Sequence, residues 1–147
     1  MSILSRIFRK REDDDYATGV SLFERGEYAE ASDRLREFVA AEDRRTGPLA
    51  GFYLRQSLVK EGRRLLVAND ADGAVNCFGE AAERWPKYPD LHYWHGIALA
   101  TAARWDEALA AARTALRFNN DYIEARLLEA GCLLASRPVT GRRLSDA

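Results

Sequence analysis

Small residues recur at one fixed spacing in this chain of 147 residues. Three of them are each followed by another small residue 34 positions later: Gly62 by Gly96, Ala74 by Ala108, and Ala81 by Ala115. A repeat period of about 20–50 residues is typical of stacked structural units, and helices approach closely only where the side chains between them are small. The spacing therefore predicts an all-α chain of helix–turn–helix units, and strand-forming patterns are nearly absent.

Composition places the chain among soluble globular proteins and argues against several other classes. Hydrophobic residues make up 47% of the sequence and charged residues 31%, with a formal net charge of −1. A chain without a clustered basic face is not expected to bind nucleic acid. No apolar run reaches the roughly 18–20 residues that span a bilayer, and the first residues lack a secretory apolar core. Cys77 and Cys132 fit no paired-ligand spacing, so we expect a reduced, cytoplasmic location.

Three repeat units and one further helix are predicted along the chain. The units span about residues 16–41, 55–88 and 91–119, and the last helix spans residues 121–136. The first two units lie further apart than the last two, and we expect a longer loop, a longer helix or both to absorb the extra residues. We predict one domain over residues 12–136, with a disordered tail over residues 137–147.

The three units share a pattern of small residues and turn residues. It reads Gly26-Glu27-Tyr28-x-x-Ala31 in the first unit, Ala74-x-x-x-Phe78-x-x-Ala81 with Pro86 in the second, and Gly96, Trp105-Asp106-Glu107-Ala108 and Ala115 in the third. This pattern resembles the tetratricopeptide repeat family, although Asp43 and Asn120 stand where that family has a closing proline. The resemblance implies a right-handed superhelical stack of about three units with a final capping helix.

In that family the first helix of each unit lines an inner groove that holds a peptide or helix of a partner protein. Nine positions of this chain correspond to the groove: Tyr16, Val20, Phe23, Val59, Arg63, Leu66, Tyr93, Ile97 and Ala100. The resemblance therefore implies an apolar groove with one cation, suited to an amphipathic helix or an extended hydrophobic segment. Among the positions where other members clamp the C-terminus of chaperones, only Lys60 is cationic, so we do not expect a chaperone tail.

No catalytic, metal or cofactor site is predicted. His92 and His95 lie three residues apart, but no third ligand stands at a neighbouring turn, and two packed histidines are the better interpretation. The chain also lacks a phosphate-binding glycine loop and a nucleophile elbow. We therefore expect a protein that is not an enzyme and needs no cofactor.

The first eleven residues form a basic amphipathic segment. The apolar residues Ile3, Leu4, Ile7 and Phe8 share one helical face, and the cations Arg6, Arg9, Lys10 and Arg11 occupy the rest. Three interpretations stay open: contact with an anionic membrane surface, a cap on the first unit, and a docking peptide.

The last helix is apolar on more than one face. A terminal repeat helix is expected to present a polar outer surface that keeps the stack soluble. We therefore expect a second copy or a partner to cover part of this helix, through Leu127, Leu128 and Leu134.

Together these features predict a non-enzymatic scaffold or adaptor that binds a protein segment in its groove. Two alternatives remain from the sequence: a chaperone-like holder of a hydrophobic secretion client, and an assembly factor on the inner face of a membrane.

Overall fold

Helices make up all the regular secondary structure of the residues that the computed structural model describes, which are residues 15–40 and 47–136. Residues 15–24 form helix α1. The other helices are α2 (Tyr28–Ala40), α3 (Gly47–Val67), α4 (Ala71–Arg84), α5 (Pro89–Thr101), α6 (Trp105–Phe118) and α7 (Ile123–Ala135). Consecutive pairs form three helical hairpins, and α7 follows as a single helix. The predicted all-α stack of three units and a final helix is confirmed.

Two predicted segments lie outside the described residues: the amphipathic stretch 1–11 and the tail 137–147. The three interpretations of the first stretch and the disorder of the second stay predictions. Within residues 15–40 and 47–136, no helix has both the length and the apolar character needed to cross a membrane.

The same turn joins the two helices of every unit. One residue in each turn has a positive φ, which is 80° at Gly26, 63° at Asn69 and 57° at Ala103. The next backbone N–H donates to a carbonyl five residues earlier, from Glu27 to Leu22 at 2.9 Å, from Asp70 to Leu65 at 2.8 Å, and from Arg104 to Leu99 at 2.9 Å. This bond closes the helix end in the manner of a Schellman motif, so each unit turns in the same direction.

Helix α3 accommodates the extra residues between the first two units. It has 21 residues, whereas its counterpart α5 has 13. Of the alternatives left open by the sequence, a longer helix is therefore realised, because α3 already begins at Gly47.

The buried side chains form two cores along the stack. The first core lies among α2, α3, α4 and the start of α5, and it includes the fully buried Leu35, Leu54 and Leu58. The second joins α4, α5, α6 and α7 around Phe78 and Leu99. Units therefore bury their apolar faces against their neighbours, as stacked repeats require.

Glycines in the first helices let the units close. A Cβ on Gly19 would lie 2.7 Å from Leu35 Cγ, one on Gly62 would lie 2.7 Å from Phe78 Cζ, and one on Gly96 would lie 2.7 Å from Leu128 Cδ2. These distances are too short for a real Cβ contact, so the recurrence of small residues has a packing cause.

Candidate ligand groove

The nine groove positions predicted from the resemblance fall into two groups in the structure. Tyr16 and Val59 pack against the first core, and Val59, Leu66 and Ala100 pack against the second. These four side chains contribute to packing. The other five are half-buried or exposed along α1, α3 and α5: Val20, Phe23, Arg63, Tyr93 and Ile97.

Aromatic rings cluster at two places on the first helices. The ring of Phe23 lies 5.4 Å from that of Tyr53, edge to face. In the second cluster the ring of Tyr93 lies 5.5 Å from that of Trp94 and 5.2 Å from that of Tyr122. Such pairs prefer tilted or edge-to-face geometry, so the two clusters present firm apolar walls rather than loose side chains.

Burial raises the pKa of two tyrosines on or beside the first helices. Burial and the neighbouring Tyr93, Glu124 and Asp90 raise the pKa of Tyr122 to about 12. Burial, followed by the nearby Tyr53, also raises the pKa of Tyr16. A phenol is already neutral at neutral pH, and the raised pKa moves its ionisation further from that range, so these side chains offer an apolar ring with a hydroxyl group.

An open pocket of about 570 Å³ lies on α3 between the two aromatic clusters. Its lining comes from the start of α2, the C-terminal half of α3 and the middle of α5: Tyr28, Lys60, Arg63, Arg64, Leu66, Val67 and Trp94. Most of these residues belong to the first helices of the second and third units, where the resemblance places the ligand. We name this site the α3 pocket.

Three cations line the α3 pocket, where the sequence indicated one. Arg64 is engaged by Glu61, with its Nε at 2.8 Å and its Nη2 at 2.6 Å from the two carboxylate oxygens. Lys60 and Arg63 form no ion pair with any residue in 15–40 or 47–136. The pocket therefore presents two cations that remain able to meet a ligand.

Aromatic faces position both of these cations. Lys60 Nζ lies 5.5 Å from the ring centre of Tyr28, and Arg63 Cζ lies 5.2 Å from that of Trp94. Trp94 in turn stacks on the fully buried Phe78, with 5.8 Å between ring centres and 17° between ring planes. Stacking on the core thus fixes the position of the tryptophan ring, and a cation–π interaction with that ring positions the arginine.

Sequence reasoning assigned Arg63 and Leu66 to the groove. It did not assign to it the other lining residues of the pocket: Tyr28, Lys60, Arg64, Val67 and Trp94. Trp94 packs against the second core, and it also lines the pocket. Lys60, the one cation among the chaperone-clamp positions, was a further sequence signal that pointed to this surface.

The three leucines of α7 that are predicted to contact another molecule have different environments in the structure. Leu127 is 69% exposed and Leu134 is 68% exposed. Leu128 packs against the second core and over Gly96. The structure therefore places Leu128 inside the stack, because the close approach of α7 to α5 turns that side of the helix inward, and it leaves the other two for contact with another molecule.

The paired histidines have separate packing roles. His92 Nε2 lies 2.7 Å from the Pro86 carbonyl oxygen, and its ring stacks on Phe118 at 5.8 Å. His95 packs against Gly79. Among the residues that the structure describes, no group of three or more His, Cys, Asp or Glu could hold a metal ion.

Comparison with known proteins agrees with this architecture. Residues 59–123, from the middle of α3 to the start of α7, match the family model for the tetratricopeptide repeat. A comparison with curated protein sequences finds no match.

Two solved structures illustrate the likeness of fold. The C-terminal TPR-containing domain of a Plasmodium falciparum FK506-binding protein is 15% identical, with a TM-score of 0.57 over 84% of this chain and 86% of that chain. The Sgt2 TPR domain from Aspergillus fumigatus is 16% identical, with a TM-score of 0.53 over 84% of this chain and 78% of that chain. Three helical hairpins share one turn geometry and have small residues at their contact points. With the match over residues 59–123, these features lead to one conclusion: that part of the chain is built of tetratricopeptide repeats, and the described helices have the fold of a tetratricopeptide repeat stack.

Proposed function

We propose that this protein is a non-enzymatic adaptor that binds a segment of a partner protein along its first helices, centred on the α3 pocket. Tetratricopeptide repeat domains generally mediate protein–protein interaction. The observation that supports the proposal here is the α3 pocket itself, an open recess of about 570 Å³ with aromatic, aliphatic and cationic side chains on rigid helices. Concave sites with apolar walls and a few placed polar groups are typical of ligand sites.

The proposal includes a cytoplasmic location and no catalytic step. Both cysteines are free, which suits a reducing compartment. Burial, with smaller contributions from Glu61 and Glu80, raises the pKa of the Cys77 thiol to about 11. A thiol that stays protonated at neutral pH is a poor nucleophile, so we assign Cys77 a packing role.

Affinity purification from the source cells tests the proposal. The bait is the full chain, compared with a Tyr93→Ala/Ile97→Asp variant that removes one wall of the groove and places a charge beside it. We expect this variant to lose the proteins that the wild-type chain retains.

The matched control changes the second helices instead, with Glu83→Ala/Arg117→Ala at two exposed positions on α4 and α6. This control should retain the same proteins. The adaptor proposal fails if folded groove variant and wild type, both checked by circular dichroism, capture the same set.

A further inference from the structure

Lys60 and Arg63 stand about one turn apart on α3, and both are exposed. Within residues 15–40 and 47–136, no carboxylate belongs to the lining of the α3 pocket. Like charges on adjacent turns of a helix repel each other, so an anion placed between the two cations would be stabilised. Arg64, the third cation, is already satisfied by Glu61 and adds little to this attraction.

The walls beside the two cations are apolar. Trp94 closes one side, and Leu66 and the 90% exposed Val67 continue the surface along α3. From Lys60 to Val67 the helix rises about 10 Å, which sets the distance between the cationic and the apolar end of the pocket. A ligand that fits both ends must therefore carry a negative group and a large apolar group within about that distance.

The charge of the whole chain narrows the class of ligand. The formal net charge is −1, and the basic pair is confined to one pocket. Binding to a nucleic acid backbone rests on a stripe of many phosphate contacts, which two cations do not provide. A protein segment with a carboxylate side chain next to an apolar one matches the pocket in size and in charge.

We propose that the α3 pocket binds an acidic–apolar segment of the partner, with an Asp or Glu carboxylate between Lys60 and Arg63 and a large apolar side chain against Trp94, Leu66 and Val67. The carboxylate accepts hydrogen bonds from both cations, and such charge-assisted bonds are stronger than neutral ones. The aromatic rings beneath the cations hold them in place before the ligand arrives, which reduces the entropy lost on binding. This inference rests on the proposed adaptor function and specifies its ligand.

Selection from a random library of 12-residue peptides tests the inference without knowledge of the partner. The peptides are displayed with their C-termini joined to the phage coat protein, so only side chains supply carboxylates. On the wild-type chain we expect enrichment of peptides with Asp or Glu and a large apolar residue within four positions of each other.

The decisive comparison is between the wild-type chain and a variant in which the charges of the pocket are reversed. The Lys60→Glu/Arg63→Glu variant should bind the selected acidic peptides at least about tenfold more weakly, a loss of about 1.4 kcal/mol. It should also enrich basic–apolar peptides in its own selection. The matched control, Lys87→Glu/Arg117→Glu, changes the net charge equally at two exposed positions outside the pocket lining and should bind the acidic peptides as the wild type does.

A second double variant keeps the test valid if the charge-reversed variant does not fold. Lys60→Gln/Arg63→Gln introduces no negative charge. It should still weaken the binding of the acidic peptides severalfold, and this binding should lose most of its salt dependence. A selected peptide should bind equally well as a free acid and as a C-terminal amide.

The results distinguish failure of this inference from failure of the adaptor function. Enriched peptides without acidic residues, or acidic peptides that bind the charge-reversed variant as tightly as the wild type, overturn the inference. The adaptor function survives that result if the Tyr93→Ala/Ile97→Asp variant still fails to capture the proteins that the wild-type chain retains. A selection that enriches no peptide at all counts against both.

Discussion

At the scale of single residues, backbone conformation is reused more strictly than side-chain identity. Gly26, Asn69 and Ala103 occupy the same left-handed turn position in the three units. Glycine adopts this conformation without strain and asparagine tolerates it, whereas alanine has a Cβ that crowds the following carbonyl. The turn of the third unit, with Ala103, is therefore the one of the three that has an unfavourable residue at this position.

We predict that Ala103→Gly raises the free energy of unfolding by about 0.5–1 kcal/mol, because glycine relieves the left-handed strain by more than it adds to the entropy of the unfolded chain. Urea denaturation followed by circular dichroism measures the change. Ala110→Gly, at an exposed position inside α6, is the control and should lower the same free energy by about 0.5–1 kcal/mol. Equal losses in the two variants would show that the turn at Ala103 carries no strain.

At the scale of helices, the recurrent small residues mark places where two helices touch. Gly62 meets the ring of Phe78, which is fully buried and stacked on Trp94. Gly131 on α7 has nothing within 4 Å of the position where its Cβ would stand. The two glycines share a helical setting and differ only in what surrounds them.

We predict opposite effects of the same substitution at these positions. Gly62→Ala should destabilise the fold by about 1–3 kcal/mol, because the added methyl group displaces a packed ring. Gly131→Ala should stabilise it by about 0.5–1 kcal/mol, because alanine is the better helix former and finds open space. Thermal and urea denaturation of both variants would check this pair, and a stable Gly62→Ala would refute the close-packing role of the repeat glycines.

At the scale of the whole molecule, ionisable groups within the stack couple its stability to pH. His95 is half-buried between the second and third units. Burial, followed by the charges of His92 and Arg104, lowers its pKa below the ordinary value of 6.5, while Glu107 acts in the opposite direction. The folded state therefore binds this proton less readily than the unfolded state does.

We predict that the free energy of unfolding decreases as the pH falls below about 6.5. In that range His95 is protonated in the unfolded chain but remains neutral in the folded chain, so protonation favours unfolding. The decrease continues until the pH reaches the lower folded pKa. Urea denaturation at pH 7.5 and 5.5 measures it, and this window avoids the carboxylates, since Arg36 and Arg84 lower the pKa of Glu80 below 4.5. His95→Gln should flatten the pH dependence, whereas His92→Gln should largely preserve it. An unchanged dependence in His95→Gln would contradict the assignment.

The last helix carries the prediction about assembly. Ile123, Leu127 and Leu134 are each more than two-thirds exposed, and we expect this surface to mediate self-association. Sedimentation at micromolar concentration should show an oligomer that Leu127→Glu/Leu134→Glu converts to a monomer of unchanged stability. Leu128→Glu should instead lower stability, because that side chain packs against Gly96. A wild-type monomer would remove the idea of self-association and leave a different protein as the expected cover.

The amino-acid sequence by itself determined the number of units and the positions of their turns, but not where the second unit begins, because α3 starts at Gly47 rather than near residue 55. These features depend on interactions between residues close in the chain: small residues at one spacing, helix-favouring composition and turn residues. The sequence also indicated the first helices as the binding surface, through the resemblance to a known family.

Only the tertiary structure decided which side chains share the α3 pocket. Lys60 meets Tyr28 from the preceding unit, and Arg63 meets Trp94 from the following one. It likewise decided that Leu128 turns inward while Leu127 faces out. Spacing along a chain states which positions are equivalent, but the contacts between units depend on how far each helix is shifted and rotated against the next, and no local pattern encodes that geometry.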